Sequence, residues 1–141
     1  HQLMYFVQVL PTHEDWERMA HGINRVNRRS ASHLHQSVDE VRSAVESNMA
    51  TWYAVRDDKS FIADLVVKTL QEDDKRTLYV WLMFGSRLPE WARLAMDSLE
   101  QVAKHNRCHA VRFHTSRPDW VHLFQSDSLG WSHTHVFQKG V

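Results

Sequence analysis

Residues 76–107, RTLYVWLMFGSRLPEWARLAMDSLEQVAKHNR, change from one hydrophobic pattern to another within a single stretch. Residues 76–84 are nearly continuous in apolar side chains, which is typical of a central strand covered on both faces. From Pro89 onward, apolar residues recur at helical spacing and predict a helix that runs to about Arg107. A buried strand followed directly by a long helix indicates a mixed α/β or α+β fold.

The flanking segments predict the remaining elements. Residues 3–10 alternate as a strand, and two helices follow it, with capping boxes at Thr12/Asp15 and Ser37/Glu40. Residues 51–56, 61–70 and 76–84 predict an antiparallel meander. Beyond the long helix, the pattern predicts a strand at 109–115, a short helix from Ser116 and a last strand at 131–138. The predicted order is β-α-α-β-β-β-α-β-α-β, a mostly antiparallel mixed sheet of about six strands with about four helices.

Composition limits the classes of function. The chain has 141 residues, which predicts one domain over 1–141, and its 17 acidic residues balance its 17 lysines and arginines. Zero net charge gives no general attraction to nucleic acid or membranes. The 4 glycines are too scattered for a multi-glycine phosphate loop, and the single cysteine excludes an internal disulfide. Because no apolar run approaches the roughly 20 residues of a membrane span, we expect a cytoplasmic protein.

From Leu78 to Phe137 the predicted order resembles the GNAT superfamily of N-acetyltransferases. The shared features are the buried strand, the long helix, the next strand, a short helix and a Leu-Gly-aromatic corner, here Leu129–Gly130–Trp131. The chain also looks like small GNAT-like proteins encoded by bacteriophages, in the segments Tyr79–Met83, Glu90–Trp91 and Arg117–Trp120. The resemblance implies a GNAT fold with an acetyl-CoA site where the strand leads into the long helix.

The resemblance places the coenzyme's pyrophosphate against residues 87–92. Arg87 and Ala92 match the first and last positions of the family's phosphate loop, and Met83 and Gly85 precede it. Glu90, however, stands where the family has its central glycine, and Pro89 lacks an amide hydrogen. Since a carboxylate repels a pyrophosphate, we expect a degenerate site and no cofactor.

The resemblance also locates candidate catalytic residues. Many members carry a tyrosine, which reprotonates the departing thiolate, at the position of Ser126, and His122 lies one helical turn earlier as a replacement. Asp64 and the pair Asp73/Asp74 are the candidates for a general base that deprotonates the amine. These departures favour a phage-type accessory protein, structural or partner-binding, with a protein partner or self-association and a place in the virion or the host cytoplasm. The alternative is an active acetyl-CoA-dependent N-acyltransferase acting on an amine.

Three further patterns are explained by ordinary surface or core positions. The pairs His33/His35 and His133/His135 offer imidazoles to a metal, but three or four ligands are needed, so we predict surface histidines and no metal. The first-helix cluster Arg18, Arg25, Arg28 and Arg29 suits an anion or nucleic acid, yet zero net charge favours a solvated face. Two tryptophans, Trp91 and Trp120, are expected to be exposed.

Overall fold

A computed structural model of the chain describes residues 3–114, apart from the side chain of His33. The elements, in chain order, are β1 (Tyr5–Gln8), α1 (His13–Arg28), a 3-10 turn (Ser32–Leu34), α2 (Val38–Glu46), β2 (Thr51–Arg56), β3 (Phe61–Glu72), β4 (Lys75–Gly85), α3 (Leu88–His105) and β5 (Ala110–Phe113).

The strands form one sheet in the order β1-β2-β3-β4-β5. Neighbouring strands from β1 to β4 are antiparallel, whereas β5 runs parallel to β4. The α1 and α2 helices cover one face, where Trp16, Ile23 and Trp52 are buried. The α3 helix covers the other face with Trp91 and Leu99, neither of which is exposed at all. The predicted mixed, mostly antiparallel fold is confirmed.

Local signals explain where α1 and α2 begin. The Thr12 backbone N–H donates to Asp15 Oδ2 at 2.8 Å, and the Asp15 N–H donates back to Thr12 Oγ1 at 3.3 Å, so the first capping box forms as predicted. Ser37 Oγ accepts only the Glu40 backbone N–H, at 3.3 Å. The second box is therefore half formed.

Part of the sequence prediction falls outside the described residues, and one prediction within them is wrong. The described residues contain five strands and three α-helices, and about six strands and four helices were expected over the whole chain. The predicted helix from Ser116 and the strand at 131–138 lie outside the described residues. Trp91, expected to be exposed, is completely buried because its indole packs beneath the start of α3 and donates to the Ser86 carbonyl at 2.6 Å.

Two kinds of feature, a membrane-spanning helix and a metal-binding cluster, are absent from residues 3–114. None of the helices described there has the length and apolar character needed to cross a membrane. Nor does that part of the chain bring together three or more histidine, cysteine or acidic side chains in a way that could hold a metal ion.

Candidate functional site

The β4 strand extends beyond its parallel partner. Pairing with β5 covers Thr77–Val80 of β4 and Ala110–Phe113 of β5. β4 continues to Gly85, and within residues 3–114 this last segment, 81–85, has a partner on the β3 side alone. Within the same described residues, its other edge presents backbone N–H and C=O groups beside the start of α3.

A sharp turn joins β4 to α3. Gly85 has φ +152°, and a Cβ there would lie 2.5 Å from the Ile62 carbonyl oxygen, so the position requires glycine. The Ser86 N–H then donates to that same carbonyl at 3.2 Å. Arg87 caps the helix in the left-handed conformation, at φ 61° and ψ 36°. The turn therefore fixes the direction in which the first amides of α3 point.

The charges at this helix start neutralise each other. The Arg87 Nε donates to Glu90 Oε2 across one turn, and both side chains are about half exposed. That hydrogen bond raises the pKa of Arg87 above its ordinary value. Because exposed ion pairs are screened by water and contribute little to stability, Arg87 can exchange this carboxylate for another anion at little cost. Glu90 is thus a weaker obstacle to an anion than its sequence position suggests.

Met83 and Ala92, two of the predicted cofactor-binding residues, belong to the core. Both side chains are more than nine-tenths buried between the sheet and α3. Their position leaves only backbone atoms for contact with a ligand at this edge. Gly85 and Arg87 are the two candidates that reach the surface of the turn.

Asp64, the candidate general base, lies on the opposite face of the sheet. Its carboxylate accepts hydrogen bonds from Arg18 Nε and Nη2, each at 3.0 Å, and from Trp52 Nε1 at 2.8 Å. Arg18 also donates to Asp15 at 2.7 Å, and its guanidinium lies 3.7 Å from the Phe61 ring centroid. Burial alone would lower the pKa of Arg18, but the two carboxylates outweigh it and raise that pKa. This network joins α1 to β3.

A polar aromatic surface that the sequence did not reveal flanks the β4–β5 pair. Lys68 Nζ lies 4.1 Å from the Trp81 ring centroid and 6.0 Å from that of Tyr79. Tyr79 in turn meets His114 edge-on, with ring centroids 5.7 Å apart. The register of β3 and β4 shifts between Val66 and Val67, and the shift leaves Trp81 without a paired residue on β3. A bulge of this kind is not visible in a hydrophobic pattern.

The other candidates fall elsewhere. His122 and Ser126 lie outside the described residues. Asp73 and Asp74 occupy the exposed hairpin between β3 and β4, at the opposite end of β4 from Gly85. The described geometry therefore brings together Gly85, Arg87 and Glu90. Asp64 lies opposite Phe84 in the β3–β4 register, one position from Gly85, but its carboxylate is on the α1 face of the sheet. The two hairpin aspartates lie at the other end of β4.

Comparisons with known proteins concern the whole chain. No protein-family model matches it, and no curated protein matches its sequence. Solved structures do match. A probable acetyltransferase has a TM-score of 0.70 at 16% identity, covering 97% of this chain and 95% of its own. The enzyme AAC(6')-Iy, in complex with the bisubstrate analog CoA-S-monomethyl-acetylneamine, has a TM-score of 0.69 at 12% identity, with 99% of both chains covered.

A third match is the ribosomal-protein-alanine N-acetyltransferase from Brucella melitensis biovar Abortus 2308. It has a TM-score of 0.64 at 16% identity, covering 98% of this chain and all of its own. The similarity to these structures shows that the chain has the GNAT fold.

These matches correct two predictions. The main prediction of a non-enzymatic accessory protein is wrong, because the neighbours that share the fold end to end are acetyltransferases, among them aminoglycoside, glucosamine-6-phosphate and ribosomal-protein-alanine acetyltransferases. The prediction that no cofactor is used is also wrong, since a neighbour carries a bisubstrate analog of CoA. The physical error lay in treating Glu90 as an unpaired charge, whereas Arg87 neutralises it.

Proposed function

We propose that the protein is an acetyl-CoA-dependent N-acyltransferase that acetylates an amine. The observation that carries the proposal is the continuation of β4 past its last described pair with β5 and into the start of α3. A strand edge with free backbone groups, beside a helix N-terminus, suits an extended ligand that ends in an anion. The shared fold of acetyltransferases supports the same assignment.

The residues at this edge fit the coenzyme. Arg87 supplies a cation to its pyrophosphate, and the start of α3 adds the positive end of the helix dipole. Gly85 keeps the turn free of a side chain, while Met83 and Ala92 contribute backbone. Pro89 removes one amide, which Arg87 offsets. When bound, acetyl-CoA supplies an acetyl group activated as a thioester.

The acceptor is proposed only as a class. The neighbours include aminoglycoside, glucosamine-6-phosphate and ribosomal-protein-alanine acetyltransferases, whose acceptors share an amine. An amine must lose a proton before or during attack, and the thiolate must regain one. We assign these proton transfers to the predicted candidates His122 and Ser126, and not to Asp64, because Arg18 and Trp52 hold its carboxylate on the α1 face of the sheet.

The test combines acetyl-CoA binding by calorimetry with the release of free CoA thiol in the presence of amines. The informative variant is Arg87→Gly, since glycine tolerates the left-handed conformation and removes only the side chain. We expect acetyl-CoA affinity to fall about tenfold or more, because a charge-assisted contact is lost.

The matched control is Lys104→Ala. It removes a cation from an ion pair at the other end of the same helix, where Lys104 Nζ lies 3.3 Å from Glu100, and it should bind like the unmodified chain. Absence of acetyl-CoA binding by the unmodified protein, at any concentration up to about 1 mM, would contradict the proposal.

Other predictions remain proposals. A single domain over 1–141, a cytoplasmic location, a protein partner and the likeness to phage-encoded members rest on the sequence alone. Trp81 and Trp91 support the likeness to phage-encoded members. The composition of the chain supports the single domain and the cytoplasmic location.

A further inference from the structure

One face of α1 carries an ordered set of charges. Glu14 and Glu17 lie near its N-terminal end, His21 lies in the middle, and Arg25 and Arg28 lie near its C-terminal end. All five side chains are exposed, and they lie on the same open side of α1 as Arg18 and Asn24. At 100° per residue these positions share one stripe of the helix.

Most of these charges have no partner within residues 3–114. No ion pair there engages Glu14, Arg25 or Arg28, and Glu17 meets only the exposed His13, at 3.1 Å. Arg18 is different, because Asp15 and Asp64 hold its guanidinium. The arginine cluster predicted from the sequence is therefore divided. One member, Arg18, is structural, and the other three, Arg25, Arg28 and Arg29, are exposed.

The arrangement is symmetric about His21. Positions 14 and 28 are equally far from it, as are positions 17 and 25. At 1.5 Å per residue, the outer pair is separated by about 21 Å and the inner pair by about 12 Å along the helix. A two-fold axis through His21 would bring each acidic side chain opposite an arginine of an antiparallel second helix.

We propose that this face of α1 docks against the same face of a second copy of the chain. Glu14 then faces Arg28 of the second copy and Glu17 faces its Arg25, with both pairs repeated by the symmetry. A nucleic acid or other uniform polyanion fits less well, because it would meet Glu14 and Glu17 on the same stripe.

Two considerations set the strength of this association. Acidic residues at the N-terminal end of α1 and basic residues at its C-terminal end also interact favourably with the helix dipole. That effect contributes to folding stability and not to association. Exposed ion pairs each change an equilibrium constant only a few-fold, and one helix face buries less than a standard interface. The dimer is therefore weak, and salt screens it.

The experiment uses charge reversal in the full chain, measured by sedimentation at low salt. One variant combines Glu14→Lys with Glu17→Lys, and the other combines Arg25→Glu with Arg28→Glu. Each alone places like charges opposite each other and should weaken self-association about tenfold or more. An equimolar mixture restores every pair, so it should regain a species of twice the 16.7 kDa of one chain.

Asp97→Lys combined with Glu100→Lys, two exposed acids with the same spacing on α3, is the control and should associate like the unmodified chain. Thermal unfolding of every variant verifies folding. The proposal is overturned if the unmodified chain stays monomeric to about 1 mM, if either reversal leaves association unchanged, or if the folded mixture stays monomeric.

Discussion

Arg18 joins α1 to the sheet through charge as well as apolar packing. Its side chain is about a quarter exposed, whereas that of Asp64 is 4% exposed. Two hydrogen bonds from one guanidinium to one carboxylate make a planar, directional contact between a helix and a strand. The Trp52 indole completes the environment of the carboxylate, at 2.8 Å. Removing the arginine would leave a buried acid with a single hydrogen-bond donor.

We predict that Arg18→Met destabilises the fold by about 3 kcal/mol, because it leaves the buried Asp64 without its counter-charge. The double variant Arg18→Met/Asp64→Asn should recover much of this loss, since a neutral amide oxygen still accepts the Trp52 N–H. Urea unfolding of both variants and of Asp64→Asn completes the cycle. Purely additive effects would show that the pair is not coupled.

Asp15 makes stability depend on pH. Burial would raise the pKa of this carboxyl, but hydrogen bonds from the Thr12 backbone and from Arg18 outweigh it and hold the pKa below its ordinary 3.8. Folding therefore favours the ionised form. This contribution is complete above the ordinary value and is lost as the pH falls through the lower value of the folded chain.

We predict that Asp15→Asn costs about 1 kcal/mol near pH 7 and reduces the acid-induced loss of stability below about pH 4. Chemical unfolding between pH 2 and about pH 7 measures both effects. Asp39→Asn is the control, since Asp39 is an exposed aspartate in the first turn of α2. An unchanged pH profile in Asp15→Asn would place the acid sensitivity elsewhere.

At the scale of elements, the sequence predicts helix starts and strands well where the signal lies within a few neighbouring residues. Thr12 and Asp15 lie three positions apart, and the short, β-rich composition of residues 51–56 predicts β2, Thr51–Arg56, to the residue. Arg18 shows the limit. Its helical stripe was visible, but its partner Asp64 lies 46 positions away and is brought near only by the tertiary fold.

The candidate site divides in the same way. The family pattern located Arg87 and Glu90. From the sequence alone, however, they are two separate charges with opposite effects on a bound pyrophosphate. The left-handed cap at Arg87 and the turn at Gly85 set the contact between them. Whether two neighbouring charges neutralise each other depends on backbone angles that the residue types alone do not determine. The bulge at Trp81 was missed for a related reason, since register belongs to a pair of strands.

The contact between α1 and β4 depends on a glycine inside the helix. A Cβ at Gly22 would lie 2.0 Å from Cε2 of Phe84, so the helix approaches the strand over the face of that ring. We predict that Gly22→Ala destabilises by about 1–3 kcal/mol through overpacking, despite the higher helix propensity of alanine.

The partner change Phe84→Leu makes room for the added methyl group. Gly22→Ala/Phe84→Leu should therefore be less unstable than the sum of the single variants by about 1 kcal/mol, as seen in thermal or urea unfolding. A sum that holds within error would mean that the ring moves aside freely and that Gly22 has another role.

At the scale of the whole molecule, the sheet divides two cores that serve different purposes. The α1/α2 side holds the buried Arg18–Asp64 pair, while the α3 side packs a continuous apolar core behind the turn at Gly85. The α3 core fixes the helix start through Trp91, whose indole donates to the Ser86 carbonyl. Rigid support behind an open strand edge is the arrangement that a binding site requires.

That division predicts where a ligand slows backbone exchange. In hydrogen–deuterium exchange, saturating acetyl-CoA should protect peptides that span 81–92, because this edge and the start of α3 carry the proposed contacts. Peptides from β2, Thr51–Arg56, should not change, since that strand is already paired on both sides. Arg87→Gly should reduce the protection at equal coenzyme concentration. Protection confined to other segments, with none in 81–92, would move the binding site away from the end of β4.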